Sequence, residues 1–216
     1  MKESITTRQK QLLSIIYQYI RNSGYPPAFE EMKDGLGVVS NQSVIDLLEK
    51  LSRSGAIKRN EGGARSIVIL PFGYGVLGAP PLAPFVGVAA AGVPMEAIEI
   101  SGSWHEIPST GSDKLARLAG NVFILKISGD SMINAGIDDG DLVLIQEKKE
   151  FISKDIVYAQ IGEDATIKRF VSEDKPPYVY LKPENPRYGI INFTDETELK
   201  GKVVSVFKEG YWKPVV

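Results

Sequence analysis

The residues with the clearest chemical potential form a serine-containing turn in the second half of the chain. An apolar run over 122–127 predicts a buried strand, and Ser128-Gly129-Asp130-Ser131-Met132 follows it directly. A serine in a glycine-containing turn can expose its hydroxyl beside backbone N–H groups, which is the arrangement that acyl-transfer nucleophiles use. Plain turns often contain serine as well, so this interpretation depends on a base elsewhere in the chain.

Two kinds of side chain could act as that base. The one histidine, His105, lies in a polar stretch without a clear pattern, which favours a surface or packing role. Lys168 lies in an alternating segment that predicts a strand, with Thr166 and Phe170 on the same face. A free lysine is neutral in only about one molecule in 2,500 at pH 7, so Lys168 could act only if burial lowered its pKa.

Composition excludes several kinds of site. The 216 residues include no cysteine, so disulfides, thiolate zinc sites and thiol nucleophiles are excluded, and we expect neither a metal nor a cofactor. Residues 1–70 hold ten Lys and Arg against seven Asp and Glu, a net charge of +3, and the other residues hold 15 against 20, or −5. A mildly basic first part suits a nucleic-acid partner. The start of the chain lacks the apolar core of a signal peptide, so we expect a cytoplasmic location.

An uncharged stretch of 25 residues, 71–95, is long enough to suggest a membrane span. Five prolines and five glycines interrupt it, however, and a span needs nearly all its backbone groups paired within a helix. We therefore expect no membrane partner. The stretch is better interpreted as a linker over 71–84 followed by an extended apolar segment over 85–95.

The first 70 residues predict three helices and a hairpin. Thr6 and Gln9 have capping-box spacing before a helix to about Asn22, and further helices are expected at about 28–36 and from Ser40 to about Gly55. Two short strands around Gly62-Gly63 would complete a winged helix-turn-helix. The polar residues on the outer face of the third helix, together with one wing arginine, are the predicted DNA contacts: Ser40, Asn41, Gln42, Ser43, Asp46, Lys50 and Arg65.

Motifs from both halves resemble one known family, the LexA repressors. In the first half they are Thr6-Thr7-Arg8-Gln9, Gly24-Tyr25-Pro26-Pro27, Leu36-Gly37 and Gly55-Ala56-Ile57. In the second half, four motifs have the order and spacing of the peptidase domain that LexA shares with UmuD and phage repressors: Ser128-Gly129-Asp130-Ser131-Met132, Asp138-Asp139-Gly140-Asp141, Thr166-Ile167-Lys168-Arg169, and Leu181 with Pro183-Glu184-Asn185. Ile45 and Asp46 replace a pair of glutamates of enterobacterial members, so the operator sequence cannot be transferred.

The resemblance implies a fold and a set of roles. The fold is an α+β N-terminal winged helix-turn-helix (1–70), a linker (71–84), and a mostly-β C-terminal domain of the LexA/signal-peptidase type (85–216), whose residues 85–95 are the cleavage segment. Ser131 is then the nucleophile and Lys168 the general base. The backbone N–H groups of Asp130 and Ser131 hold the oxyanion, and the scissile bond is Ala91–Gly92.

The function that the resemblance implies is repression of DNA-damage (SOS) genes by a homodimer bound to double-stranded operator DNA. A RecA filament on single-stranded DNA would stimulate self-cleavage and end repression. Alternatives are a cleavable prophage-type repressor or a non-SOS winged-helix regulator with the same peptidase domain. A signal-peptidase-like enzyme should have a membrane anchor, a repressor without cleavage should lack Ser131 or Lys168, and a UmuD-like polymerase accessory protein should lack residues 1–70.

The tail of the chain predicts one more strand, over 201–207. Neither of its faces is uniformly polar, so we expect one face to meet another sheet or a second subunit. An unpaired strand of this composition would favour association. The family resemblance independently implies that the C-terminal domains pair around a twofold axis, which suits a palindromic operator.

Overall fold

The structure is a computed structural model, and it describes residues 5–59, 67–90, 95–96, 103–107 and 122–215. The chain divides into two compact units. Met1–Pro84 and Gly102–Gly120 form the first unit, whereas Phe85–Ser101 and Asn121–Val216 form the second.

Helices and strands are numbered in chain order across both units. The helices are α1 (Thr7–Ser23), α2 (Phe29–Leu36), α3 (Asn41–Arg53) and α4 (Pro71–Leu77), and Ile133–Ala135 forms a 3₁₀ turn. The strands are β1 (Ile57–Arg59), β2 (Ile67–Ile69), β3 (Leu82–Ala90), β4 (Met95–Glu96), β5 (Ser103–Glu106), β6 (Val122–Ser128), β7 (Leu142–Glu147), β8 (Ile156–Ile161), β9 (Asp164–Ser172), β10 (Val179–Lys182), β11 (Ile191–Asn192), β12 (Thr197–Lys208) and β13 (Tyr211–Pro214).

The first unit begins with the three helices that the sequence predicts. The capping box is present: the Gln9 N–H donates to Thr6 Oγ1 at 3.3 Å, and the Thr6 N–H donates to Gln9 Oε1 at 2.6 Å. Gly24 ends α1 at a φ of 79°, a backbone conformation that glycine adopts without strain. Apolar faces of α1, α2 and α3 form one core with Ile57 of β1 and Ile69 of β2.

The predicted hairpin is present as the antiparallel pair β1 and β2, which joins Ile57 to Ile69 and Arg59 to Ile67. Its turn, including Gly62-Gly63 and Arg65, lies outside the described residues. In the region expected to be a linker, 71–84, the structure contains α4, which the sequence analysis did not anticipate. The helix starts at Pro71, a favourable first position, and Tyr74 is buried edge-on to Tyr17 with ring centroids 6.1 Å apart.

The position of Gly73 explains why the sequence analysis did not predict α4. Gly73 lies so close to Ala56, the residue before β1, that an added Cβ would be 2.3 Å from the Ala56 carbonyl oxygen. Only glycine fits there, although glycine in a helix normally argues against one. Whether 71–84 acts as the connection between two domains remains a prediction.

In the second unit, six strands form a closed order of hydrogen-bonded neighbours. From β9 the hydrogen-bonded order runs through β8, β12, β7, β6 and β3, and β3 pairs with β9 again where Ala90 meets Thr166. β3 is parallel to β6 and β9, whereas the other pairs in this path are antiparallel. The path therefore brings the ends of β3 and β6 next to the middle of β9. The predicted mostly-β second part is confirmed.

Apolar side chains from these strands form the core of the second unit: Leu125, Ile127, Met132, Ile137, Val143, Ile145, Ile156, Ile167, Val203 and Val206. The tail strand β12 contributes to it and pairs with three strands of its own chain, β7, β8 and β13. The argument for association from an unpaired tail strand is therefore wrong, because its backbone groups already have partners within the unit. Among the described helices, none combines the length and apolar character that crossing a membrane requires.

Candidate functional site

A buried polar contact in the second unit joins the predicted serine and lysine. Lys168 Nζ lies 2.9 Å from Ser131 Oγ, 2.8 Å from Thr166 Oγ1 and 3.0 Å from the Ile167 carbonyl oxygen. Ser131 and Thr166 are 0% exposed and Lys168 is 1% exposed. The structure thus places a hydroxyl and an amine in direct contact away from water, as a nucleophile and its base require.

Burial sets the chemical state of the amine. It lowers the pKa of Lys168 from 10.5 to about 8, because removal from water disfavours the charged form. About a tenth of the molecules then carry neutral Lys168 at pH 7, compared with roughly one in several thousand for an ordinary lysine. Phe170 lies on the same strand but has its ring edge-on to Phe193, so the fold as a whole, and not this one ring, excludes water.

His105, the other candidate base, lies on β5 and is exposed. It belongs to the segment Gly102–Gly120 of the first unit, whereas Ser131 and Lys168 belong to the second. The basic group that the structure places within hydrogen-bond distance of the Ser131 hydroxyl is the Lys168 amine.

Two loops hold the turn that carries Ser131. On one side, the Gly129 N–H donates to Asp139 Oδ1 at 2.6 Å, and Gly129 has a φ of 102°, which a residue with a side chain rarely adopts. The loop with Asp139 is itself fixed, because Lys208 forms ion pairs with Asp138 at 2.5 Å and Asp141 at 3.2 Å. The Asp138–Asp141 motif therefore has a structural explanation: it holds the turn on the end of β6.

On the other side, the residue before Ser131 contacts the loop after β10. The Asn185 amide donates to the Asp130 carbonyl oxygen at 3.0 Å and to Asp130 Oδ2 at 3.1 Å, and the Tyr188 hydroxyl donates to Asp130 Oδ1. The Tyr188 hydrogen bond is the main cause that lowers the pKa of the Asp130 carboxyl group. Both the carbonyl and the side chain of the residue before Ser131 are therefore held by this loop.

The predicted scissile bond, Ala91–Gly92, lies outside the described residues, but residues on both sides of it are described. Before it, Ala90 at the end of β3 is in register with Ser128 on β6 and Thr166 on β9. After it, Met95 on β4 is in register with Ala165 on β9. Both flanks of the bond therefore pair with neighbouring residues of the strand that carries Lys168.

The predicted DNA contacts on α3 form an exposed surface on the first unit. All six are exposed: Ser40, Asn41, Gln42, Ser43, Asp46 and Lys50. The Ser40 hydroxyl accepts the Gln42 N–H at 3.2 Å as the cap of α3, and Gln42 Nε2 donates to Asp46 Oδ1 at 2.8 Å. Arg65, the seventh predicted contact, lies outside the described residues.

One exposed residue beside this surface was missed. Val39 is 96% exposed immediately before the cap of α3. An apolar side chain at the start of a recognition helix can contact a thymine methyl group. The signal was available, because Val39 is apolar and lies outside the inward stripe of either flanking helix.

Comparisons with known proteins cover both units. Residues 2–66 match the family model described as "LexA DNA binding domain", and residues 84–204 match "Peptidase S24-like". LexA repressor 1 of Nocardia farcinica is 37% identical over 210 residues, 95% of this chain and 94% of the relative. LexA repressors of Geobacter sp. strain M21 and Desulfitobacterium hafniense are 34% and 36% identical, each over 211 residues, 96% of this chain and 98% of the relative. The resemblance that the sequence motifs indicated is confirmed.

Proposed function

The chain belongs to the LexA repressor family, and we propose that it represses DNA-damage (SOS) genes until it cuts its own Ala91–Gly92 bond. In this proposal residues 1–70 bind operator DNA, 71–84 connect, and 85–216 form the self-cleaving and dimerising domain. The contact of 2.9 Å between Lys168 Nζ and Ser131 Oγ carries the proposal, because a cutting domain needs both groups in contact and out of water.

The proposed reaction is an acyl transfer followed by hydrolysis. Neutral Lys168 takes the proton of the Ser131 hydroxyl while Oγ attacks the Ala91 carbonyl carbon, and the N–H groups of Asp130 and Ser131 stabilise the resulting oxyanion. The C–N bond to Gly92 then breaks, and the departing amine receives the proton from Lys168. Water, activated by the same lysine, hydrolyses the Ala91 ester of Ser131.

Cutting in its own molecule is favoured by the strand pairing of both flanks of the bond. Ala90 and Met95 pair with Thr166 and Ala165 of β9, so the described residues on both sides of the bond lie next to the strand that carries Lys168. An anchored substrate replaces a bimolecular encounter by an intramolecular one, which is worth orders of magnitude in effective concentration. We therefore expect cleavage to be mainly intramolecular.

DNA binding is assigned to the exposed face of α3, with the wing near Arg65 contacting phosphates. If the C-terminal domains pair, each dimer links two such faces, and cutting at 91 removes that linkage and lowers operator affinity. A RecA filament on single-stranded DNA would act as the stimulus by binding the arrangement competent for cutting more tightly than other arrangements.

Incubation of the purified protein between about pH 7 and 10, followed by mass spectrometry of the products, tests the cutting step. The expected fragments are 1–91 and 92–216, and cleavage at another bond would contradict the proposal. Adding RecA, single-stranded DNA and a nucleotide should accelerate the same cut at pH 7. No acceleration by RecA at pH 7 would favour a regulator outside the SOS system.

Sedimentation of the cleaved products at micromolar concentration tests the dimer. Fragment 92–216 is expected to sediment as a dimer and fragment 1–91 as a monomer. A monomeric 92–216 would remove the avidity on which the proposed loss of operator affinity depends.

A further inference from the structure

The peptide bond between Asp130 and Ser131 is held by a side chain that has no role in the mechanism so far. The Asp130 carbonyl oxygen accepts the Asn185 amide at 3.0 Å and the Ile133 N–H at 3.2 Å. A peptide unit is planar, so the direction of its carbonyl fixes the direction of the N–H on its other end. That other end is the Ser131 N–H, one of the two proposed oxyanion donors.

The Asp130 carboxylate is held from the same loop, because it accepts the Tyr188 hydroxyl and the same Asn185 amide. Of the two proposed oxyanion donors, the Ser131 N–H belongs to the peptide unit that accepts the Asn185 amide from outside the turn. An N–H aimed at the developing oxyanion before reaction costs no reorganisation in the transition state.

Asn185 is itself well oriented. The side-chain oxygen Oδ1 accepts the Arg187 N–H at 3.1 Å, which leaves the amide nitrogen facing Asp130. The backbone carbonyl of Asn185 accepts the Tyr188 N–H at 3.1 Å. The residue is 7% exposed. The preceding residue is anchored too, because Glu184 forms an ion pair with Arg169 at 2.5 Å and its carbonyl accepts the Asn134 N–H at 2.9 Å.

We propose that Asn185 is a positioning residue for self-cleavage: by holding the Asp130 carbonyl, it aims the Ser131 N–H at the oxyanion formed from Ala91. This rests on the proposed cutting by Ser131. Removal of one oxyanion donor costs roughly 100-fold to 1,000-fold in rate. Loss of orientation alone should cost less, so we expect Asn185→Ala to lower the cleavage rate by about 10-fold to 50-fold.

The test measures self-cleavage of the full chain against pH and separates the plateau rate at high pH from the midpoint. Asn185→Ala should lower the plateau and leave the midpoint near that of the wild type, because the Lys168 amine is bonded to Ser131, Thr166 and the Ile167 carbonyl, whose side chains and backbone the substitution does not change. Asn185→Asp has almost the same volume but presents an acceptor in place of the donor, and it should lower the plateau at least as much.

Tyr188→Phe is the matched control. It removes a hydrogen bond to the Asp130 carboxylate but leaves the Asn185 amide and the Asp130 carbonyl in place, so its plateau should stay within about twofold of the wild type. Thermal unfolding of each variant shows whether the second unit remains folded.

Three outcomes would overturn the inference. An unchanged plateau in Asn185→Ala would show that the amide does not act. A shifted midpoint would show a general disturbance around Lys168, and an equal loss in Tyr188→Phe would assign the effect to the Asp130 carboxylate. Different results would show that the proposed cutting by Ser131 is itself wrong. In that case the wild type would not cut at the Ala91–Gly92 bond, or Ser131→Ala would still cut there.

Discussion

The two surfaces proposed to act on DNA and on the peptide bond differ in their contact with water. On α3, the six predicted DNA contacts are all exposed, and Gln42 and Asp46 are linked by one hydrogen bond within the helix. In the second unit, Ser131, Thr166 and Lys168 are almost completely buried, and the Lys168 amine is bonded to both hydroxyl groups. One surface is available to a large partner, whereas the other is enclosed by its own chain.

The difference shows what each task needs from the fold. A DNA-reading helix needs side chains that reach base edges, and a helix supplies them by its periodicity alone. A lysine that accepts a proton near neutral pH must be removed from water, and in the second unit the packing of the strands around Lys168 achieves this. We therefore expect changes in the buried group to have large effects that are confined to cutting and stability, and changes on α3 to have smaller effects that are confined to DNA.

The largest expected effect is that of Ser131→Ala. Removal of the hydroxyl should lower the cleavage rate by at least about a thousandfold, since the attacking atom is lost. Operator affinity of the uncut protein, measured by fluorescence anisotropy, should change by less than about twofold. A Ser128→Ala control should still cut. Loss of DNA binding in Ser131→Ala would contradict the separation of the two surfaces.

The next effect concerns stability and depends on pH. An unfolded chain protonates Lys168 below its ordinary pKa of 10.5, whereas the folded chain protonates it only below about 8. The folded state therefore gains stability from this residue as pH rises from about 8 to 10.5, by roughly 3 kcal/mol in total. Denaturant unfolding measures the free energy of unfolding of Ser131→Ala and of the double variant Ser131→Ala/Lys168→Met. The difference between these two free energies should change by about this amount between pH 8 and 10.5. A constant difference would mean that Lys168 is not desolvated.

The pH profile of self-cleavage should be shallow. With the pKa of Lys168 lowered to about 8, the neutral fraction, and hence the rate, rises by only about tenfold from pH 7 to 10 and levels off. A lysine at its ordinary pKa would instead give a rise of several hundredfold without a plateau. Lys168→Ala should remain inert throughout, and residual activity in it that His105→Ala abolishes would reassign the base.

On α3 and the wing the expected effects are about tenfold or less. Gln42→Ala or Asn41→Ala should weaken operator binding by about tenfold and change sequence preference, because in the proposal these exposed side chains contact base edges. Arg65→Ala should weaken operator and random DNA alike by a few-fold and reduce the salt dependence. Equal losses on both kinds of DNA in all three variants would contradict the recognition-helix assignment.

The smallest predicted effect is that of the residue that the sequence analysis missed. Val39→Ala removes two methyl groups from an exposed side chain, so the fold should be unaffected and the loss of operator affinity should be about twofold to fivefold. The effect should occur only on operators that have a thymine at the position that Val39 would contact. An equal loss on operators without that thymine would rule out a methyl contact.

Local sequence patterns determined the first three helices and several strands. The capping box at Thr6, the stripe of α3 and the alternation of β9 depend on residues that are near each other in the chain, so periodicity predicts them. The same alternation placed Thr166 and Lys168 on one face. Motif spacing added the assignment of Ser131.

Only the tertiary structure decided the remaining features of the fold and the site, because these features depend on contacts between residues far apart in the chain. The closing pair of Ala90 with Thr166 brings the end of β3 to β9, and the packing around Lys168 lowers its pKa. Asn185 reaches Asp130 across 55 positions, and α4 forms because Gly73 can approach Ala56. Each of these residues can be read in the sequence. The free energy that fixes its position or its pKa, however, comes from burial and tertiary contacts, which no local pattern contains.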